Sequence, residues 1–224
     1  MPEKLTLITT DQVMIVGNYY PASNVKAPAV ILLHMMPATK ESWDEFAKKL
    51  QQAGFQVLAI DERGHGESIK KGQDGEGFIL DYKKFSLEDH QAKKLDVEAC
   101  REFFIEKEVS MGDIFMGGAS IGANLAIQYL AEHPEARAAF ALSPGLDFGG
   151  IETVPLVQVL QATQSLFLIA AKDDAISAYA VGQLSDQGAA KKRVELYEKG
   201  GHGTNLFFTN PDLMDELVSW LRNF

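Results

Sequence analysis

The chain is poor in several features, each of which would commit it to a class of protein. It has a single cysteine, Cys100, so no intrachain disulfide can form. Cys100 falls in an amphipathic helical pattern, where a thiol reads as a small buried hydrophobe and not as a reactive group. No apolar run is long enough to span a bilayer. The N-terminal Met1-Pro2-Glu3-Lys4-Leu5 has no basic segment leading into a long apolar stretch. A cytoplasmic protein with no membrane partner is expected. Basic residues are outnumbered, 21 Lys and Arg against 31 Asp and Glu, and the acids are spread along the chain. That spread reads as a solubility-promoting surface and argues against nucleic acid, which requires a basic patch. Metal-ligand patterns are missing too: there is no HExxH, no Cys pair and no Asp-rich loop. His34, Asp61 and His65 are the one set that could converge on an ion, and neither a metal nor another cofactor is expected. With no repeat, low-complexity tract or linker, residues 1–224 read as one domain with one sizeable core, a monomer or small homo-oligomer.

What is present is an alternation of strands and helices. Leu5–Thr9 and Val13–Tyr20 read as a β-meander. From Ala29 onward, apolar strands alternate with helical patterns. Strands are expected at Val30–Leu33, Gln56–Ile60, Asp113–Gly118, Ala138–Leu142, Leu166–Ala170 and Arg193–Tyr197. Helices are expected at Glu41–Ala53, Leu87–Lys107, after Ser120, Leu156–Gln161, Ala178–Gln187 and Pro211–Arg222. Residues Arg63–Phe85 read as a long loop. Continuous apolar strands separated by helices imply a mostly parallel sheet with helices on both faces.

The most informative stretch is Gly118-Ala119-Ser120-Ile121-Gly122. An apolar strand leads into it and a helix leads out, so Ser120 stands at the apex of a sharp turn. A serine there occupies a strained backbone with its hydroxyl pushed into the open. Glycines on both sides remove Cβ atoms that would clash as strand and helix close together. The plain alternative is a Gly-rich βα turn. What shifts the balance is the content of the other strand ends, where open parallel sheets place their sites. Lys172-Asp173-Asp174 follows the Leu166–Ala170 strand, and Gly200-Gly201-His202-Gly203 follows the last one. A serine hydroxyl needs a base, and an imidazole oriented by a carboxylate provides one. The order is Ser, Asp, His.

The whole chain resembles the α/β-hydrolase superfamily, most closely small bacterial carboxylesterases and dienelactone-hydrolase-like proteins. The resemblance rests on Ser120 in its turn, on Asp61-Glu62-Arg63-Gly64-His65-Gly66-Glu67-Ser68, on the His202 loop and on His34 after the third strand. It implies an α/β-hydrolase fold of about eight mostly parallel strands. It also implies that Ser120 is the nucleophile, His202 the base and Asp174 the acid, with Asp173 and Asp147 as alternative acids. The oxyanion hole would use the backbone N–H groups of Ile121 and Met36, with Met35 the alternative to Met36. The family usually has Gly at the position of Met35. Arg63 and His65 would brace their turn, and His90 and His133 would lie on the surface. Met35, Phe148 and Leu206 are candidates for contact with substrate. The short interval Ser143–Ser165 leaves little material for a lid. The activity implied is cleavage of small or short-to-medium carboxylic esters through an acyl-serine intermediate. Dienelactone-hydrolase-like, thioesterase or acyltransferase chemistry is the alternative within the fold, and a non-catalytic ligand-binding role the alternative outside it.

Overall fold

A computed structural model describes residues 2–72 and 77–224. In chain order, β1 (Glu3–Ile8), β2 (Val13–Tyr20), β3 (Ala29–Leu33), α1 (Asp44–Gln52) and β4 (Gln56–Ile60) come first. The short β5 (Lys70–Lys71) and β6 (Phe78–Ile79) precede α2 (Leu87–Gln91) and α3 (Lys94–Glu106). Next come β7 (Ile114–Ala119), α4 (Ile121–Glu132), β8 (Ala138–Leu142), β9 (Asp147–Phe148), β10 (Ile151–Glu152) and α5 (Thr153–Gln158). The chain closes with β11 (Ser165–Ala171), α6 (Ala175–Ser185), β12 (Lys191–Tyr197), α7 (Leu206–Thr209) and α8 (Leu213–Leu221).

The main sheet runs β12-β11-β8-β7-β3-β4-β2-β5-β6, with β1 also on β2. The six strands from β12 to β4 are parallel, and β2 joins β4 antiparallel. This is the doubly wound, mostly parallel sheet expected, extended at one edge by the two-residue strands β5 and β6. Alternate residues of each strand serve opposite faces, as a pleated backbone requires. Ala29, Ile31 and Leu33 pack with α3, α4, α5 and α6. Val30 and Leu32 pack with α1, α7 and α8. Cys100 is fully buried in the first of these cores, which pushes its thiol pKa well up.

Four local expectations are corrected. The helix expected at Leu87–Lys107 is two helices broken at Ala92 and Lys93. The turn there tightens to Leu95 N–H on Ala92 O and Asp96 N–H on Lys93 O, each 3.0 Å. The break turns Lys93 inward, where its ammonium meets the Glu62 carboxylate at 2.7 Å with both side chains fully buried. The helix expected at Leu156–Gln161 starts earlier, at Thr153, because Pro155 lies in the first turn, where its missing N–H has no intrahelical partner to lose. Ala175, not Ala178, opens α6, with the Asp174 side chain at the N-cap. The Arg63–Phe85 loop contains β5 and β6; its residues 73–76 lie outside those described.

Candidate active site

The register of the sheet determines which residues meet. Leu33 is level with Ile60 on one side and with Gly118 on the other. Ala119 is level with Leu142, and Ala171 with Tyr197. The carboxyl ends of β3, β7, β8, β11 and β12 therefore open on one edge. The ladder continues past the strands: Ser120 N–H donates to Leu142 O at 2.9 Å, and Ser143 N–H to Ile169 O at 2.7 Å.

Ser120 has φ 57° and ψ −120°, a left-handed conformation that a residue with a Cβ adopts only when its surroundings enforce it. The two flanking glycines permit the close packing that holds it. A Cβ on Gly118 would stand 1.9 Å from Gly122 O. One on Gly122 would stand 2.5 Å from Leu33 O and 2.8 Å from His34 O. So α4 closes directly onto both β7 and the end of β3. The serine is less open than the turn alone suggests, with only 9% of its surface exposed. Ile121 begins α4, and a first-turn amide has no intrahelical acceptor, so its N–H is available beside Ser120.

Asp174 and His202 are brought together. His202 Nδ1 lies 2.7 Å from Asp174 Oδ2. Burial works to raise the Asp174 pKa, but the hydrogen bonds from His202 and from Ser177 N–H outweigh it and hold the carboxyl below its ordinary value. The other two acid candidates are engaged elsewhere. Asp173 accepts from the N–H groups of Gly200 and Gly201, its nearest contact being 3.0 Å. Asp147 accepts from Gly150 N–H at 2.8 Å and closes the β9–β10 hairpin.

The histidine loop has a second clamp that sequence reasoning missed. Ser143, itself at φ 51° and fully buried, accepts from Gly203 N–H at 2.9 Å. Its position directly after a strand in the parallel sheet was the available signal. Gly203 has φ +60°, and a Cβ there would fall 2.4 Å from Met35 Sδ and 3.4 Å from Ala119 Cβ. The His202 loop thus packs against the residue before Ser120 and against the segment after β3.

Of the residues expected around substrate, Met35 and Phe148 are half-buried at the crevice. Phe148 sets its ring edge-on to His202, with centroids 6.2 Å apart. Leu206 is corrected: it is fully buried in the core beneath Gly200 and supports the loop from behind. Met36 is half-buried against the opposite core and precedes a cis Pro37. His34 accepts from Glu62 N–H through Nε2, so Nδ1 carries the proton and donates to Met35 O at 3.0 Å. One neutral imidazole thereby ties the segment after β3 to the segment after β4.

The segment after β4 is built inward. Asp61 accepts from the Lys40 backbone and ammonium and from Glu67 N–H, and Gly66 at φ +49° lets the chain wrap its carboxylate. Arg63 bridges Asp96 and Asp11. His65 donates Nδ1–H to Arg63 O and stacks on Tyr82 with centroids 4.0 Å apart. His90 and His133, expected on the surface, are half-buried; His133 pairs with Glu98 at 2.8 Å. Among the described residues no group of three His, Cys, Asp or Glu side chains is arranged to hold a metal ion. Among them, too, no helix is long and apolar enough to cross a membrane.

A mostly parallel sheet with a strained serine between strand and helix, and a carboxylate and an imidazole paired at the ends of the second and third strands away, defines an α/β-hydrolase. The chain belongs to the serine aminopeptidase S33 family, whose model matches residues 25–165. An esterase of Pyrococcus furiosus has a similar structure, with TM-score 0.76 and 17% identity over 100% of this chain and 91% of that one. So does a dienelactone hydrolase of Anabaena variabilis, with TM-score 0.71 and 16% identity over 98% and 94%. Epoxide hydrolase B of Mycobacterium tuberculosis is 44% identical over 45 residues, which span 20% of this chain and 13% of that relative.

Proposed function

We propose that the protein is a serine hydrolase that cleaves small carboxylic esters through an acyl-serine intermediate. The observation that carries this reading is the 2.7 Å Asp174–His202 contact on the loop that packs beside the strained Ser120 turn. In this scheme His202 Nε2 takes the Ser120 proton as Oγ attacks the ester carbonyl. Asp174 fixes the proton on Nδ1 and stabilises the imidazolium. The oxyanion is received by Ile121 N–H and by the N–H of Met36 or Met35. The imidazolium then protonates the leaving alcohol. Water, deprotonated by the same histidine, releases the acid and restores the serine.

Access supports a small substrate. The interval between β8 and β11 holds a two-residue hairpin and the six-residue α5 in place of a helical cap. Each added acyl methylene contributes about 0.8 kcal/mol only while it is buried. Specificity is therefore expected to rise over the first few acyl carbons and then level off.

Labelling with a fluorophosphonate, followed by kcat/KM across nitrophenyl esters of increasing acyl length and matching aminoacyl anilides, tests the reading. Expected are labelling at Ser120, preference for short acyl esters and weak turnover of anilides. Faster turnover of anilides than of esters would move the protein to peptide substrates, and no labelling would refute serine chemistry.

A further inference from the structure

An apolar groove of about 410 Å³ has the residue after Asp174 in its wall and plays no part in the scheme above. One wall is Gly145–Phe148, which carries β9, and the other is the first turn of α6 with Ala175, Ile176 and Tyr179. Three observations tie this groove to the reaction. The α6 wall begins at the residue after Asp174. Phe148, in the opposite wall, stands nearly perpendicular to the His202 ring, with centroids 6.2 Å apart. Ile176 and Tyr179, three apart on one helix face, both line the groove and are 71% and 62% exposed.

We infer that this groove binds the alcohol portion of the ester and selects for uncharged aromatic or bulky alkyl alcohols. The inference rests on the serine-hydrolase reading and extends it. In the tetrahedral intermediate the oxyanion points at Ile121 N–H and the segment after β3. The leaving oxygen must lie within hydrogen-bond reach of His202 to be protonated. The substituent on that oxygen then extends past the imidazole, on the side occupied by Phe148 and α6. The volume suits a ring-sized group within the usual range of ligand sites, about 300–1,000 Å³. Its lining is apolar, with the flat ring of Tyr179 offered for stacking. The exposed carboxylate of Asp147 stands in the groove wall and repels an anionic alcohol.

The timing of the two half-reactions gives the test. The alcohol leaves on acylation, so a groove for it changes acylation and not hydrolysis of the common acyl-enzyme. Wild type is first labelled with fluorophosphonate; absence of labelling would refute the serine-hydrolase reading and this inference with it. Acetate esters of ethanol, cyclohexanol and benzyl alcohol are then compared in wild type, Tyr179→Phe and Ile176→Ala/Tyr179→Ala. Wild type is expected to prefer benzyl over ethyl acetate, and the double variant to lose about tenfold of that ratio in kcat/KM, an aromatic contact's worth. Tyr179→Phe keeps the ratio, because the ring and not the hydroxyl forms the wall. The loss is expected in the acylation rate alone. A labelled enzyme that shows no benzyl preference, keeps it in the double variant, or slows in deacylation overturns the groove assignment while leaving the serine chemistry intact.

Discussion

Asp173 and Asp174 are adjacent in the chain and hold the same loop by different atoms: Asp174 takes the His202 ring at Nδ1, and Asp173 accepts from the backbone N–H groups of Gly200 and Gly201, the two residues before it. Successive carboxylates on a turn point apart, and here both directions meet the loop after β12. One sets the imidazole and the other sets the path of the loop.

Their substitutions are therefore expected to differ in kind. Asp174→Asn should lower kcat by as much as ~10⁴-fold with little change in folding, as for other triad aspartates. Asp173→Asn keeps an acceptor oxygen and should be mild. Asp173→Ala leaves the buried Gly200 amide without its acceptor, while water can reach Gly201, and should cost about 1 kcal/mol in stability. Ester kinetics and urea unfolding on the three variants check this; a large kcat loss confined to Asp173→Asn would reverse the roles.

Ser120 combines the proposed nucleophile with strain, and the two separate by substitution. Ser120→Ala and Ser120→Gly should both lose ester turnover and labelling. Only the glycine relieves a φ of 57°, so Ser120→Gly should be the more stable of the two by roughly 1 kcal/mol or more. Equal melting temperatures would remove the claim of stored strain.

The buried Glu62–Lys93 pair predicts an asymmetry between single and double variants. Lys93→Met leaves the Glu62 carboxylate without its cation in a fully buried site and should cost about 3–5 kcal/mol. Lys93→Met/Glu62→Gln removes both charges and should recover much of that loss. A double variant as unstable as the single would show that the pair's packing, not its charge, matters.

Stability should fall on mild acidification, and His65 is one source. Burial, then Lys93 and His34, lower its pKa from 6.5 to about 4, against the pull of Glu62. Its Nε2 is buried among the described residues with no partner. The unfolded chain takes the proton first, so stability is full above pH 6.5 and is lost between there and about 4. The slope is up to ~1.4 kcal/mol per pH unit for one group. Burial shifts His34 in the same direction. Asp96, which burial pushes up to about 6, opposes them, because there the folded chain takes the proton first. His65→Gln isolates the histidine: its urea midpoint should depend less on pH between 7 and 4.5 than that of wild type. Parallel curves would show that His65 is not held neutral.

The division between sequence and structure follows the range of the interactions. Strand positions, the Ser120 turn and the order Ser, Asp, His were legible, because each is written in a short window by apolar periodicity, paired glycines or a residue at a strand end. The choice among Asp147, Asp173 and Asp174 was not, because three carboxylates on strand-end loops look alike until the direction of each loop is known. Tertiary structure gave Asp174 to the ring, Asp173 to the loop backbone and Asp147 to its own hairpin. The same holds for Leu206, apolar in sequence and drawn into the core, and for Lys93, whose buried partner Glu62 lies 31 positions away in the chain. Ser143 needed the sheet register to bring the end of β8 under Gly203. By itself the sequence determined the fold and the kinds of reactive group; long-range packing, which alone fixes where a side chain points, decided which of them touch.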